Sequence, residues 1–293
     1  MKQLVGDTVR SFARHGGTLL AGACAFFALL SAAPMLFIAI TIAGAVTDRA
    51  SARAELLRGL GAWLGPEGAA TIGHLLAAGD IRPAGLWPSV ASGLVLVYGS
   101  TRLFTQVQRA LNHLWDVRAR APGDFRGKVL RQVERRILSF GLVLLCAAFL
   151  LASVGMRAFL ERAEDVLGAH LSSRWLVLDH AGTFVVAAAL FAALFKVLPD
   201  VRVDLRDAAA GALVTAALFH VGKLLLGVYL GHKDLAATFG PAGSVVMILL
   251  WVHYSAQIFF LGASFTAAWA KRSGRALEPT PGALRVRVEG EDA

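Results

Sequence analysis

The chain has 293 residues, of which 56% are hydrophobic and only 17% charged, with a mean hydropathy of +0.61. That is more apolar material than a water-soluble domain can bury, so an ordinary soluble enzyme is excluded and membrane-spanning helices are expected. The net charge of +9 fits either a nucleic-acid binder or a membrane protein with basic cytoplasmic loops, and the two are separated by where the cations lie. Both cysteines, Cys24 and Cys146, sit in uncharged apolar runs, where they act as small hydrophobes and not as a disulfide framework or thiolate metal site.

Residues 1–16 carry Lys2, Arg10 and Arg14 among Leu4, Val5, Val9, Phe12 and Ala13. The pattern fits a short amphipathic helix on a membrane surface, and equally a plain basic flank to the first span. Thr18 to Val46 form 29 uncharged residues without a small-x-small cleavage site after a short core, so the segment is expected to remain as a span, kinked at Pro34. Further spans are expected at about 84–101, 137–156, 175–195 and 208–230. From Leu235 to Ala270 there are 36 residues without Asp, Glu, Lys or Arg. A single helix of that length would measure about 54 Å, too long for the hydrocarbon layer. Gly240, Pro241 and Gly243 supply the break, placing a sixth span at 243–270 and leaving 271–293 as a solvated, partly disordered tail.

With the N-terminus placed in the cytoplasm, the inside segments hold 20 Lys and Arg and the outside segments 8, with Lys223 alone inside a span. The positive-inside rule therefore favours an all-α polytopic fold of six transmembrane helices with both termini cytoplasmic, in a bacterial inner membrane. Nine of the cations fall in the 102–136 connection, which lacks aromatic stacking platforms or a recognisable nucleic-acid module, so no nucleic acid is expected as partner.

The chemistry-bearing motifs are sparse. The eight histidines form no H-x-H or H-E-x-x-H pair, and there is no P-loop, Rossmann fingerprint or G-x-S-x-G elbow. The chain is expected not to be an enzyme, with no cofactor and no metal site. Polar residues inside spans carry most information, because a Lys at mid-membrane costs about 2.5 to 3.5 kcal/mol on insertion scales. Lys223 shares a helix face with His220, while His253 lies with Gln257 one turn on. His220 and His253 are each about 15 Å from the outer ends of their spans, so the four residues can line one polar site for an anionic group or a proton. The competing reading is snorkelling by Lys223 and an interhelical hydrogen-bond network that only holds the bundle. Arg102, Gln106, Arg109 and His113 make one polar stripe, with Arg102 and Arg109 the candidates for anionic lipid headgroups, or else a topological anchor.

Four stretches resemble the YihY/BrkB family of bacterial inner-membrane proteins, once labelled ribonuclease BN. They are Ala25 through Leu29-Leu30-Ser31 to Pro34; Arg102-Leu103-Phe104 through Gln108-Arg109-Ala110-Leu111-Asn112 to Trp115; Leu198-Pro199-Asp200 with Arg206-Asp207-Ala208 and Gly211; and Phe239-Gly240 through Leu250-Trp251 to Leu261-Gly262-Ala263. The resemblance runs in order over about residues 15–270. It implies a six-helix membrane fold with both ends cytoplasmic and marks Pro34, Asn112, Trp115, Pro199, Gly240, Trp251 and Gly262 as structural positions. Ser264 departs from the family, in which Glu is frequent after the Gly-Ala pair, and Asp200 stands where Asn is common. The expected function is transport or export of an anionic lipid or small amphiphilic solute linked to the envelope. The alternative is a non-transporting scaffold for envelope assembly, and ribonuclease activity is not expected. Membrane lipids are the expected partners, a homo-oligomer being possible.

Overall fold

A computed structural model describes residues 2–30, 50, 53–54, 57–58, 73, 102–119, 172–231, 243–275, 277–280 and 283–285. The described fold is mostly helical: α1 Lys2–Arg14, α2 Gly17–Leu30, α3 over 102–114, α4 Ser172–Val197, α5 Leu205–Gly231 and α6 Gly243–Arg272. Four short strands join them, β1 Val117–Ala119, β2 Val201–Arg202, β3 Glu278–Pro279 and β4 Ala283–Arg285. The expected spans at 84–101 and 137–156, and the motif residues Pro34 and Gly240, lie outside the described residues.

Among the described residues two helical stretches, Leu205–Leu225 and Val246–Arg272, are long and apolar enough to cross a membrane, or three if the bent pair α1 and α2 counts as one. Their large apolar side chains point outward: Leu213, Leu218, Leu224, Leu225, Leu249 and Leu250 are exposed, as are Leu19 and Phe26 of α2. In water this would be a liability, whereas against lipid it is the surface a spanning helix presents.

Chain termini of the helices follow local chemistry. Asp204 caps α5, its carbonyl accepting the N–H groups of Asp207 and Ala208 at 3.1 and 3.0 Å. α6 ends in a Schellman turn: Gly274 takes φ of 70°, its N–H meets the Lys271 carbonyl at 3.2 Å, and the Arg275 N–H meets the Ala270 carbonyl at 3.0 Å.

The chain divides into two compact units, one comprising Met1–Gly17, Gln108–His220 and Ile258–Ala293, the other Thr18–Val107 and Val221–Gln257. In the first, α5 and α6 run antiparallel through a reciprocal pair of contacts. A Cβ placed at Gly211 would collide with Thr266 Oγ1, and one at Gly262 with Thr215 Oγ1. Each threonine is fixed by its own helix, Thr215 donating to the Gly211 carbonyl at 2.7 Å and Thr266 to the Gly262 carbonyl at 2.9 Å. Two glycines thus let two backbones approach, and two threonines fill the space with hydroxyls that need no partner from the other helix. α4 covers this pair: Ala187 and Ala188 pack with Ala216 beside Phe184 and Phe191, and Phe195 stacks on Phe259 with ring centroids 5.1 Å apart.

Candidate functional site

Among the described residues of the first unit, polar side chains cluster where helices end. Asn112, near the end of α3, donates from Nδ2 to Asp200 Oδ2 at 2.8 Å and accepts the Asp200 N–H at 2.8 Å. Gln108, one turn earlier, donates to Asp200 Oδ1 at 3.3 Å. The Asp200 carbonyl accepts from the Thr280 N–H at 3.0 Å and from Thr280 Oγ1 at 3.1 Å. β2 and β3 pair antiparallel beside it, with Val201 opposite Pro279. Trp115 is buried and donates its indole N–H to the Ala263 carbonyl at 2.9 Å. α3, the α4–α5 turn, α6 and the tail are therefore tied by one hydrogen-bonded knot.

A second tie secures the tail. Asp207, only 1% exposed, receives both ends of the Arg275 guanidinium, Nε at 2.9 Å and Nη2 at 2.6 Å. The two-point bond to the carboxylate holds Arg275 above its ordinary pKa. Gly274 makes this possible by turning the chain at the end of α6. β4 then pairs with β1, Val117 opposite Arg285 and Ala119 opposite Ala283. The tail expected as a partly disordered extension is thus, over its described residues, folded back onto two other segments.

A third tie anchors α1. His15 places Nδ1 2.7 Å from the Ser11 carbonyl and Nε2 3.0 Å from Asp116 Oδ1, so one ring bridges its own helix and the end of α3. Asp116 adopts φ of 56°, the left-handed conformation that ends α3 and that Asp tolerates better than most residues. The His113 ring stands edge-on to His15 with centroids 5.3 Å apart. Partial desolvation, then the neighbouring His15 charge, hold His113 below the ordinary histidine range.

The predicted intramembrane residues fall in both units. In the first, His220 bonds from Nδ1 to the Ala216 carbonyl at 3.0 Å and packs on Phe184 with centroids 5.5 Å apart. In the second, the Gln257 amide donates to His253 Nε2 at 2.6 Å. Gly22 of α2 lies beside that imidazole, since a Cβ there would sit 3.9 Å from its Nδ1 and Cε1. Lys223 is half-buried in α5 and Trp251 half-buried in α6. Arg102 and Arg109, the candidate headgroup contacts, are both exposed. Among the described residues no group of three or more His, Cys, Asp or Glu could hold a metal ion.

The family model described as "Virulence factor BrkB" matches residues 8–286. The chain belongs to the BrkB family. Relatives bearing the name UPF0761 membrane protein include one from Alteromonas mediterranea, 26% identical over 271 residues, which span 92% of this chain and 88% of that protein. One from Alkalilimnicola ehrlichii is 27% identical over 86% of this chain and 55% of its own length. A Pseudomonas aeruginosa relative is 31% identical over 64% of this chain and 45% of its own. The chain thus spans about half the length of several of its curated relatives. No solved structure matches it.

Three of the stretches that carried the BrkB resemblance meet in the knot, namely Gln108 to Trp115, Pro199-Asp200, and Gly262-Ala263, and Asp207 of the second stretch makes the separate tie to Arg275. Asp200, where Asn is common in the family, serves through its carboxylate as acceptor for two amides, a role Asn could fill only in part. Ser264 is fully buried and donates to the Phe260 carbonyl at 3.0 Å, so its hydroxyl is satisfied within α6. Sequence reasoning assigned no role to His15, Asp116 or Arg275. The one available signal was Ser273-Gly274-Arg275 directly after a basic helix end, a C-cap that aims the next side chain.

Proposed function

We propose that this BrkB-family protein spans the bacterial cytoplasmic membrane six times with both ends in the cytoplasm, and moves an anionic lipid or small amphiphile linked to the envelope without chemically transforming it. The observation that carries the reading is the set of polar side chains placed deep in otherwise apolar helices. His220 and Lys223 lie on one face of α5, and His253 and Gln257 form a bonded pair in α6 with Gly22 leaving room beside the ring. A cation or an imidazole within an apolar helix suits a negative headgroup or a proton, because an uncompensated charge there is costly. The excess of 20 Lys and Arg over 8 across the two sides supports the orientation, and exposed Arg102 and Arg109 suit the recruitment of anionic headgroups at about 1 kcal/mol each.

The test is lipid and metabolite profiling of the full chain purified in native-membrane nanodiscs, comparing wild type with Lys223→Met at matched expression. An anionic lipid or solute enriched only in the wild type is the expected result. Identical profiles would move the reading to a second one, a non-transporting scaffold for envelope assembly. That second reading is favoured by the tight Gly211–Thr266 and Gly262–Thr215 packing, which leaves no passage where those helices touch.

A further inference from the structure

α1 has three faces, and only two have an evident occupant. Leu4, Thr8, Ser11 and His15 recur at spacings of four, three and four, which places them on one face. Leu4 and Thr8 are buried, Ser11 and His15 half-buried, and the His15 bond to Asp116 fixes this face to the end of α3. The polar face carries Gln3, Asp7, Arg10 and Arg14, all exposed, as water requires. Between them runs a third face of Val5, Val9 and Phe12. Val5 is 55% and Val9 52% exposed. Phe12 is half-buried and turned onto Gly17, where any Cβ would run into its ring.

A soluble protein has no reason to hold two valines one turn apart in water on a helix otherwise well anchored. Here the next segment answers the question of what covers them. α1 ends at Arg14, and the 29-residue uncharged run begins at Thr18, so α1 is tethered within a few residues of the bilayer. Its exposed charges are three cations, Lys2, Arg10 and Arg14, against the single anion Asp7, the bias that an acidic lipid surface attracts.

We propose that α1 is an interfacial helix seated on an acidic bilayer, with Val5 and Val9 inserted below the headgroups, Lys2 and Arg10 flanking them at headgroup level, Arg14 on the water side, and the Leu4–Thr8–His15 face clamped to the protein. The clamp matters physically, because a 13-residue helix is marginal alone in water. Held by His15 at its C-terminal end, it is ordered before it meets lipid and loses less entropy on docking. α1 then fixes the depth at which α3 and the knot sit relative to the membrane surface. This holds whatever the cargo, so it stands apart from the transport reading.

The experiment uses the full chain carrying Cys24→Ala and Cys146→Ala, with an environment-sensitive NBD label on single cysteines at positions 3, 5, 7 and 9, in nanodiscs containing phosphatidylglycerol. Labels replacing Val5 and Val9 are expected to be blue-shifted and quenched severalfold more by brominated acyl chains than labels replacing Gln3 and Asp7. Equal quenching at all four positions would overturn the proposal. So would shielding at 5 and 9 without bromolipid quenching, the signature of a protein partner or second copy. A label at the exposed Ala13 provides the control against misfolding: Val5→Ser with Val9→Ser should reduce its quenching while leaving the detergent melting temperature unchanged, and unchanged quenching would likewise overturn the idea.

Discussion

Polar side chains at the helix ends and those within the long helices solve the same problem in opposite ways. At the ends, bonds join residues far apart in sequence: His15 to Asp116, Asn112 to Asp200, Trp115 to Ala263 and Asp207 to Arg275. Within α5 and α6, Thr215, His220, Gln257, Ser264 and Thr266 each bond a residue four positions away in the same helix. The difference follows from the solvent. A helix entering lipid must bring its polar groups already satisfied, because the hydrocarbon offers no donor or acceptor. Outside it, a carboxylate or amide can remain hydrated until the tertiary partner arrives, so ties between segments can form late and define the fold.

The largest expected effect breaks the first half of this contrast. Asn112→Asp replaces the amide that bonds Asp200 twice with a second carboxylate. Losing a bond to a charged group and adding like-charge repulsion should cost about 3 kcal/mol or more. Thermal unfolding of the purified protein in detergent reads this, and a melting temperature equal to the wild type would show that the knot does not hold the segments together.

The second half is sharpened by Gly262→Ala. Thr215 Oγ1 occupies the place of the new methyl and is held there by its own bond to the Gly211 carbonyl, so overpacking of about 1 to 3 kcal/mol is expected. Adding Thr215→Ala removes that hydroxyl and should recover part of the loss, because the Cβ at position 215 still lies 2.9 Å from the new methyl. The pair should therefore be non-additive in a double-mutant cycle, and simple additivity would mean that α5 and α6 can part without cost.

The smallest effect concerns His113. Its folded pKa lies below the ordinary value of about 6.5, because of partial burial and His15, with Asp116 opposing and Arg118 adding to the depression. The unfolded chain therefore takes up this proton first. The contribution of His113 is intact above the unfolded value and is lost as pH falls through it toward the folded value. Because the ring is exposed, the change is small, and it is read as the difference in pH-dependent melting between wild type and His113→Gln. A flatter slope in the variant between pH 7 and 5 is expected, and parallel curves would contradict the assignment.

Part of the molecule is legible in the sequence alone. The bounds expected for a helix ending in Phe195, for one beginning near Ala208 and for one beginning at Gly243 can be set beside α4, α5 and α6 because long uncharged runs and Pro or Gly breaks are local signals. The charge bias and the absence of catalytic motifs are likewise written in the chain. The knot was not. Gln108, Asn112, Trp115 and Asp200 stood out only as parts of a family resemblance, and Arg275 looked like one more cation of a loose tail.

By itself, then, the sequence determined that this is a mostly helical membrane protein of the BrkB family, since hydrophobicity and helix breaking act over short runs of neighbouring residues. Only the tertiary structure decided which polar residues find partners, that the tail returns to Asp200 and Asp207, and that Gly211 and Gly262 are spaces for threonines. Bonds spanning 68 to 148 residues depend on how helices pack, and no local pattern encodes that distance.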